Sequence, residues 1–130
     1  MRFMTMAKGP ENAGMPPQAL MEAIARLGDE ATKAGVLVET GALMPSAMGA
    51  RLRLGGGKVT ITDGPFSEAK ELIGGYAVYE VKSKEEAIEW CRRFMELHRE
   101  NWPGWEGETE LRQLFGPSDF PTDFPTDFPS

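Results

Sequence analysis

The chain has 130 residues, of which 41% are hydrophobic and 26% are charged, and it contains a single cysteine. This length and composition favour one globular domain over a membrane-embedded or disordered chain. The net charge of −6 argues against nucleic acid as a partner, because phosphate binding needs clustered Lys and Arg. The lone Cys91 excludes an internal disulfide and a cysteine-based metal site, and no apolar run is long enough for a signal sequence or a membrane span. The sequence therefore predicts a cytoplasmic protein with no membrane partner.

The first third of the chain predicts a strand, a helix and a second strand. Residues 2–7 alternate with apolar side chains on both faces, which is typical of a central strand. Pro16 and Pro17 favour a helix start, and Gly35 favours its end after Leu20, Ile24, Leu27 and Ala31 at helical spacing. Residues 36–40 form a short β-branched run.

A hairpin is strongly indicated next, with strands over 50–54 and 58–62 around a turn at 55–57. Its alternation puts polar and cationic side chains on one face. The other face carries four apolar side chains: Leu52, Leu54, Val59 and Ile61.

The second half predicts a strand over 75–81, a helix from Ser83 to about His98 and a last strand over 108–115. Ser83 and Glu86 form a capping box at the start of that helix. From residue 116 the triplet Asp-Phe-Pro recurs every four residues, which is a low-complexity tail rather than a folded element. The expected domains are 1–115 and a tail over 116–130.

This order of elements predicts an α+β fold, a ferredoxin-like βαββαβ plan with an inserted β-hairpin. Both helices would then cover one face of an antiparallel sheet. Because several strands carry apolar residues on both sides, the other face is expected to pack on a second copy, giving a homodimer with a cavity between the sheets.

The loop Asp63-Gly64-Pro65-Phe66, with Gly74-Gly75 and the start of the second helix after it, resembles the DGPF family within the wider YCII-related group. The resemblance covers residues 2–115 and implies a dimeric α/β-barrel fold. It also implies an enzyme-like pocket with a His–Asp pair in some relatives and an association of others with extracytoplasmic-function sigma factors. Asp63 matches the aspartate, but the first half of this chain has no histidine.

Asp63 is the central candidate, as a general base or a ligand anchor at a strand end. The alternative is a turn-forming aspartate that accepts backbone N–H groups of its own loop. Glu39 stands in an otherwise apolar strand, and either pairs with Asp63 as a second carboxylate or forms an ion pair with Arg51 or Arg53.

His98 is a candidate proton shuttle, although a structural place in the last helical turn explains it as well. Trp102 and Trp105 either line a pocket or cover the end of the core. Arg53 and Lys70 are candidate clamps for an anionic ligand or members of a solvated face, and Phe66 is a candidate ligand contact or a core plug. The ligand patterns of zinc and haem sites are missing from the sequence, so no cofactor is predicted.

Two functions remain open at this level. The first is a small-molecule-binding dimer, with or without acid–base chemistry at Asp63. The second is a non-enzymatic regulatory module, associated with a sigma factor or another protein, that docks through the tail residues Phe120, Phe124 and Phe128.

Overall fold

The computed structural model describes residues 1–66 and 68–116, so the Asp-Phe-Pro repeat of the predicted tail and its docking role lie outside the described residues. The elements in chain order are β1 (Arg2–Gly9), α1 (Gln18–Lys33), β2 (Leu37–Ala42), β3 (Ala50–Gly55), β4 (Lys58–Asp63), β5 (Leu72–Glu80), α2 (Lys84–Asn101) and β6 (Glu108–Leu114). Two short 3₁₀ turns, Glu11–Ala13 and Ser46–Met48, lie in the connections that precede α1 and β3.

Four of the strands form an antiparallel sheet in the order β2-β5-β1-β6. The first strand is central, as its two apolar faces predict, and it pairs with β5 on one side and β6 on the other. With one helix between β1 and β2 and the other between β5 and β6, this is the ferredoxin-like arrangement. The predicted α+β class is confirmed.

The core lies between the sheet and both helices. Phe3 of β1 and Tyr79 of β5 are directly paired and buried, and Ala31 of α1 and Ala87 of α2 pack into the same cluster. Trp90 stacks on Tyr79 with ring centroids 6.2 Å apart. Burial of this kind raises the pKa of the Tyr79 phenol to about 12, because the phenolate would lose its hydration.

The opposite face of the sheet is called the open face below. Side chains alternate along a strand, so Val78 and Tyr76 of β5 point away from the helices, together with their β1 partners Met4 and Met6. Val78 is buried, and Tyr76, Met4 and Met6 are half-buried. Neither α-helix packs on this face, because the core cluster places both on the side of Phe3 and Tyr79.

The hairpin of β3 and β4 forms a separate two-stranded sheet. Its register pairs Leu52 with Ile61 and Leu54 with Val59, so the predicted apolar face is confirmed. All twelve residues of the two strands are exposed.

Two boundaries differ from the predictions by three residues, and others by one or two. Strand β5 begins at Leu72 rather than Gly75, because Lys8 and Gly9 of β1 continue the ladder past an irregularity at Ala7. Helix α2 extends to Asn101, whose side-chain amide donates to the carbonyl of Leu97 at 2.9 Å. The capping box is present in part: Ser83 Oγ accepts the backbone N–H of Glu86 at 3.1 Å.

Candidate functional site

The Asp63-Gly64-Pro65-Phe66 loop is fastened to the 3₁₀ turn at Ser46–Met48. Gly64 N donates to the carbonyl of Gly49 at 2.9 Å, which continues the line of the hairpin ladder. A Cβ on Gly64 would lie 1.6 Å from the carbonyl oxygen of Ser46, so only glycine fits at this close approach. The glycine of the motif is therefore a packing requirement.

Ser46 joins three separate loops. It is buried, and its Oγ donates to Glu11 Oε1 at 2.7 Å while accepting the backbone N–H of Phe66 at 3.0 Å. Its own backbone N–H donates to Glu11 Oε2 at 2.9 Å. Sequence reasoning missed both Ser46 and Glu11, because a contact across 35 residues between two irregular loops leaves no local pattern.

Phe66 is half-buried against this turn, with the guanidinium carbon of Arg51 4.0 Å above its ring centroid. Arg51 also forms an ion pair with Glu68. The pKa of Glu68 is lowered, first by its own backbone N–H and then by the Arg51 hydrogen bond. Arg51 thus ties the hairpin to the residues that follow the loop.

Asp63 is the last residue of β4 and is exposed. Alternation puts it on the same face as Ile61 and Val59, opposite Ala50. Among residues 1–66 and 68–116 its carboxylate has no hydrogen bond or ion pair. It belongs to the hairpin sheet, whereas Glu39 belongs to the four-stranded sheet, so no pairing of the described strands brings the two carboxylates side by side.

The partner of Glu39 is Tyr76. Both lie on the open face, on the neighbouring strands β2 and β5, and Tyr76 covers Gly41, where a Cβ would come within 2.9 Å of its ring. The negative charge of Glu39 is the main cause that raises the pKa of the Tyr76 phenol, and burial adds to it. Tyr76 is therefore a neutral hydrogen-bond donor at pH 7.

The cationic candidates lie apart from this pair. Arg51 is engaged by Glu68, so the expected ion pair between Glu39 and a hairpin arginine is not what the structure shows. Arg53 is exposed on the hairpin and Lys70 is exposed after the loop, and within the described part of the chain neither forms an ion pair.

His98 lies on the helix side of the sheet, so the sheet separates it from Glu39. Its Nδ1–H donates to the carbonyl of Phe94 at 3.0 Å, and its ring lies between Phe94 and Trp105, with centroids 4.6 and 4.7 Å away. Burial lowers the pKa of this imidazole, although the hydrogen bond to Phe94 opposes the shift. A surface depression of about 340 Å³ adjoins His98, Trp102 and Trp105.

Within the described residues, no group of three or more His, Cys, Asp or Glu side chains could hold a metal ion. The two α-helices of that part of the chain are both too short or too polar to cross a membrane.

The model of the YCII-related domain matches residues 1–96. The chain belongs to the YCII-related family. An uncharacterized protein of Rhizobium meliloti (strain 1021) is 30% identical over 89 residues, which are 68% of this chain and 69% of the relative.

Among solved structures, the chain is similar to a 5-chloro-2-hydroxyhydroquinone dehydrochlorinase from Burkholderia phenoliruptrix, determined in complex with 2,5-dihydroxybenzoquinone. The match covers 89% of this chain and 95% of the dehydrochlorinase, with 14% identity and a TM-score of 0.42.

Proposed function

We propose that this YCII-related protein is a homodimer that binds a small organic molecule between the open faces of its two sheets. The observation that supports this is the make-up of the open face, where Met4, Met6 and Val78 lie beside the polar pair Glu39 and Tyr76, while the β6 edge of the same face carries Glu110 and Arg112. Small-molecule sites combine apolar walls with a few placed polar groups in this way. A sheet face that neither α-helix covers is a natural surface for a second copy.

The polar pair defines the kind of ligand. Tyr76 offers a hydroxyl donor and Glu39 a carboxylate acceptor, on the neighbouring strands β5 and β2 and beside the apolar side chains of Met4, Met6 and Val78. The proposed ligand has an apolar body and a hydroxyl or amino group that donates to Glu39 and accepts from Tyr76. Asp63 supplies a further carboxylate for acid–base chemistry when the cavity closes.

We also assign the chain to the DGPF branch of the family and to the dimeric α/β-barrel type. Two residues of the motif have structural contacts that explain their presence: Gly64 fits beneath the Ser46 carbonyl, and the Phe66 ring lies under the Arg51 guanidinium while its amide donates to Ser46 Oγ. The loop therefore acts as one unit with the turn at Ser46–Met48.

Native mass spectrometry of the purified protein tests both parts of this proposal. The wild type is expected as a dimer that carries a small additional mass. Tyr76→Phe should reduce the ratio of ligand-bound to ligand-free protein about fivefold, because one hydrogen bond contributes about 1 kcal/mol. Dimers of the Asp63→Asn variant should still carry the bound mass, but any catalytic turnover should be lost.

Tyr79→Phe is the matched control, since it removes one hydroxyl from the same strand on the helix side of the sheet. It should leave the bound fraction unchanged. A monomer would contradict the dimer, and a dimer without bound mass would contradict the ligand site. Equal losses in both tyrosine variants would contradict the assignment of the ligand to the open face.

A further inference from the structure

The hairpin exposes an apolar surface that its own chain leaves uncovered. Its four paired side chains, Leu52, Leu54, Val59 and Ile61, are between 59% and 73% exposed. The described chain has fifteen exposed large apolar residues, and seven of them lie between Leu43 and Ile61. These seven follow one another along the connection and the hairpin, which together are called the arm below (residues 43–63).

An isolated two-stranded hairpin is only marginally stable in water unless its apolar face packs on something. The strands of the hairpin are not part of the four-stranded sheet. Within the described residues the arm is bonded to the rest of the chain near its base, through Leu43 to Gly74, Ser46 to Glu11 and Phe66, Gly49 to Gly64 and Arg51 to Glu68. A surface of this size on a protein is normally an interface.

Charge indicates what kind of surface the arm meets. Within 50–63 the three cations Arg51, Arg53 and Lys58 outnumber the single carboxylate of Asp63, so the hairpin has a net charge of +2. The whole chain has −6, which leaves −8 on the remainder. The arm is thus a cationic segment of an acidic protein, and the body of a second copy attracts it.

The area that a stable interface needs also supports a second copy as the partner of the arm. With strands about 4.8 Å apart and a rise of about 3.4 Å per residue, the open face of the four-stranded sheet covers roughly 450 Å². A stable interface needs about 800 Å² on each partner, so two such sheet faces alone fall short. The apolar face of one six-residue hairpin covers roughly 200 Å². In a two-fold symmetric dimer each copy buries its own hairpin face and also the surface that the other copy's hairpin covers, so this area is added twice to each partner.

We infer that the arm crosses to a second copy of this chain and packs its apolar face there, beside the contact between the two open faces. This rests on the homodimer proposed above. Asp63 lies at the inner end of the same apolar face, next to Ile61 in the alternation. Asp63 is at the base of the arm, next to Gly64, so this crossing places it where the two copies meet, at the edge of the cavity between their open faces, and the site is incomplete in a monomer.

The test compares two neighbouring substitutions in the full-length chain, Ile61→Glu on the apolar face and Thr60→Glu on the opposite face. Both add the same charge to the same strand. Sedimentation equilibrium should show a dimer dissociation constant raised at least about 100-fold by Ile61→Glu, because the symmetric interface would receive two buried carboxylates. Thr60→Glu should change it by less than about threefold.

The outcomes separate this inference from the proposal on which it rests. A wild type that stays monomeric at the highest measurable concentration overturns both. If the wild type is a dimer and Ile61→Glu and Thr60→Glu weaken it equally little, the inference about the arm is overturned while the dimer stands. The apolar face of the arm then belongs to another occupant, such as the tail or a different protein. Thermal unfolding of both variants checks that the core, which lies outside the arm, remains intact.

Cross-linking of dimers mixed from light and heavy isotope forms gives an independent readout. Lys58 is the one lysine of the hairpin, so its cross-links report where the arm lies. Links between Lys58 of one isotope form and the body of the other support the inference. Links of Lys58 only within its own copy, in a sample that is dimeric, overturn it.

Discussion

Replacing Ser46 with alanine removes the hydroxyl that joins the first loop of the chain to the Asp63-Gly64-Pro65-Phe66 loop. The hydroxyl makes a charge-assisted bond to Glu11 at 2.7 Å and accepts the Phe66 amide at 3.0 Å. A bond to a charged group contributes roughly 1.5–3 kcal/mol and a neutral one about 1 kcal/mol. Glu11 is exposed and regains water when the bond is lost, so we expect a net loss of about 2 kcal/mol.

Guanidinium unfolding, followed by tryptophan fluorescence, measures this loss. Glu11→Gln in a double-mutant cycle isolates the bond between the two side chains, with an expected coupling of about 1 kcal/mol. Hydrogen exchange of the Phe66 amide should accelerate in Ser46→Ala, because that amide loses its acceptor. A destabilisation below about 0.5 kcal/mol with unchanged exchange at Phe66 would refute the view that Ser46 holds the loop.

Three further predictions follow from glycine packing and from the two perturbed titrations. Gly64→Ala should destabilise the protein by more than about 2 kcal/mol, since its Cβ would overlap a backbone carbonyl, whereas Gly74→Ala, with no atom within 4 Å, should cost less than about 1 kcal/mol; equal losses would contradict the steric argument. Glu39→Gln should lower the pKa of Tyr76 in an absorbance titration, because the charge that raises it is removed. An unchanged pKa would contradict the interaction between the two side chains. Burial lowers the pKa of His98 in the folded state, so the unfolded state binds more protons below the ordinary pKa of 6.5 and wild-type stability should fall as pH drops through that value. His98→Phe should flatten this part of the pH profile, and a steeper profile in the variant would reverse the assigned sign.

The sequence pattern predicted those features of the helices and strands that depend on residues close together in the chain. The second helix has its capping serine where the spacing of Ser83 and Glu86 places it. The hairpin has its apolar face as alternation requires, because a glycine turn fixes the register and the register fixes the faces. The central position of β1 followed from apolar residues on both of its faces.

Partners across the sheet were harder to predict. Glu39 was singled out for a sound reason, a carboxylate in an apolar strand, but the expected partners were Asp63 or the hairpin arginines. The structure places Tyr76 beside it, because β2 pairs with β5 and the hairpin forms a sheet of its own. A sequence shows that a strand exists more readily than it shows which strand lies next to it.

The four residues of the Asp63 loop differ in how much the fold explains them. Gly64 is required by the carbonyl above it, and Phe66 is held by Ser46 and covered by Arg51. Asp63 has no such explanation, since within residues 1–66 and 68–116 its carboxylate accepts no hydrogen bond from the backbone of its own loop. A charged side chain at the end of an exposed apolar face is unfavourable for association unless its charge is used there. Asp63 is thus the residue of the motif for which we propose a role towards a ligand, at the junction of the two proposed copies.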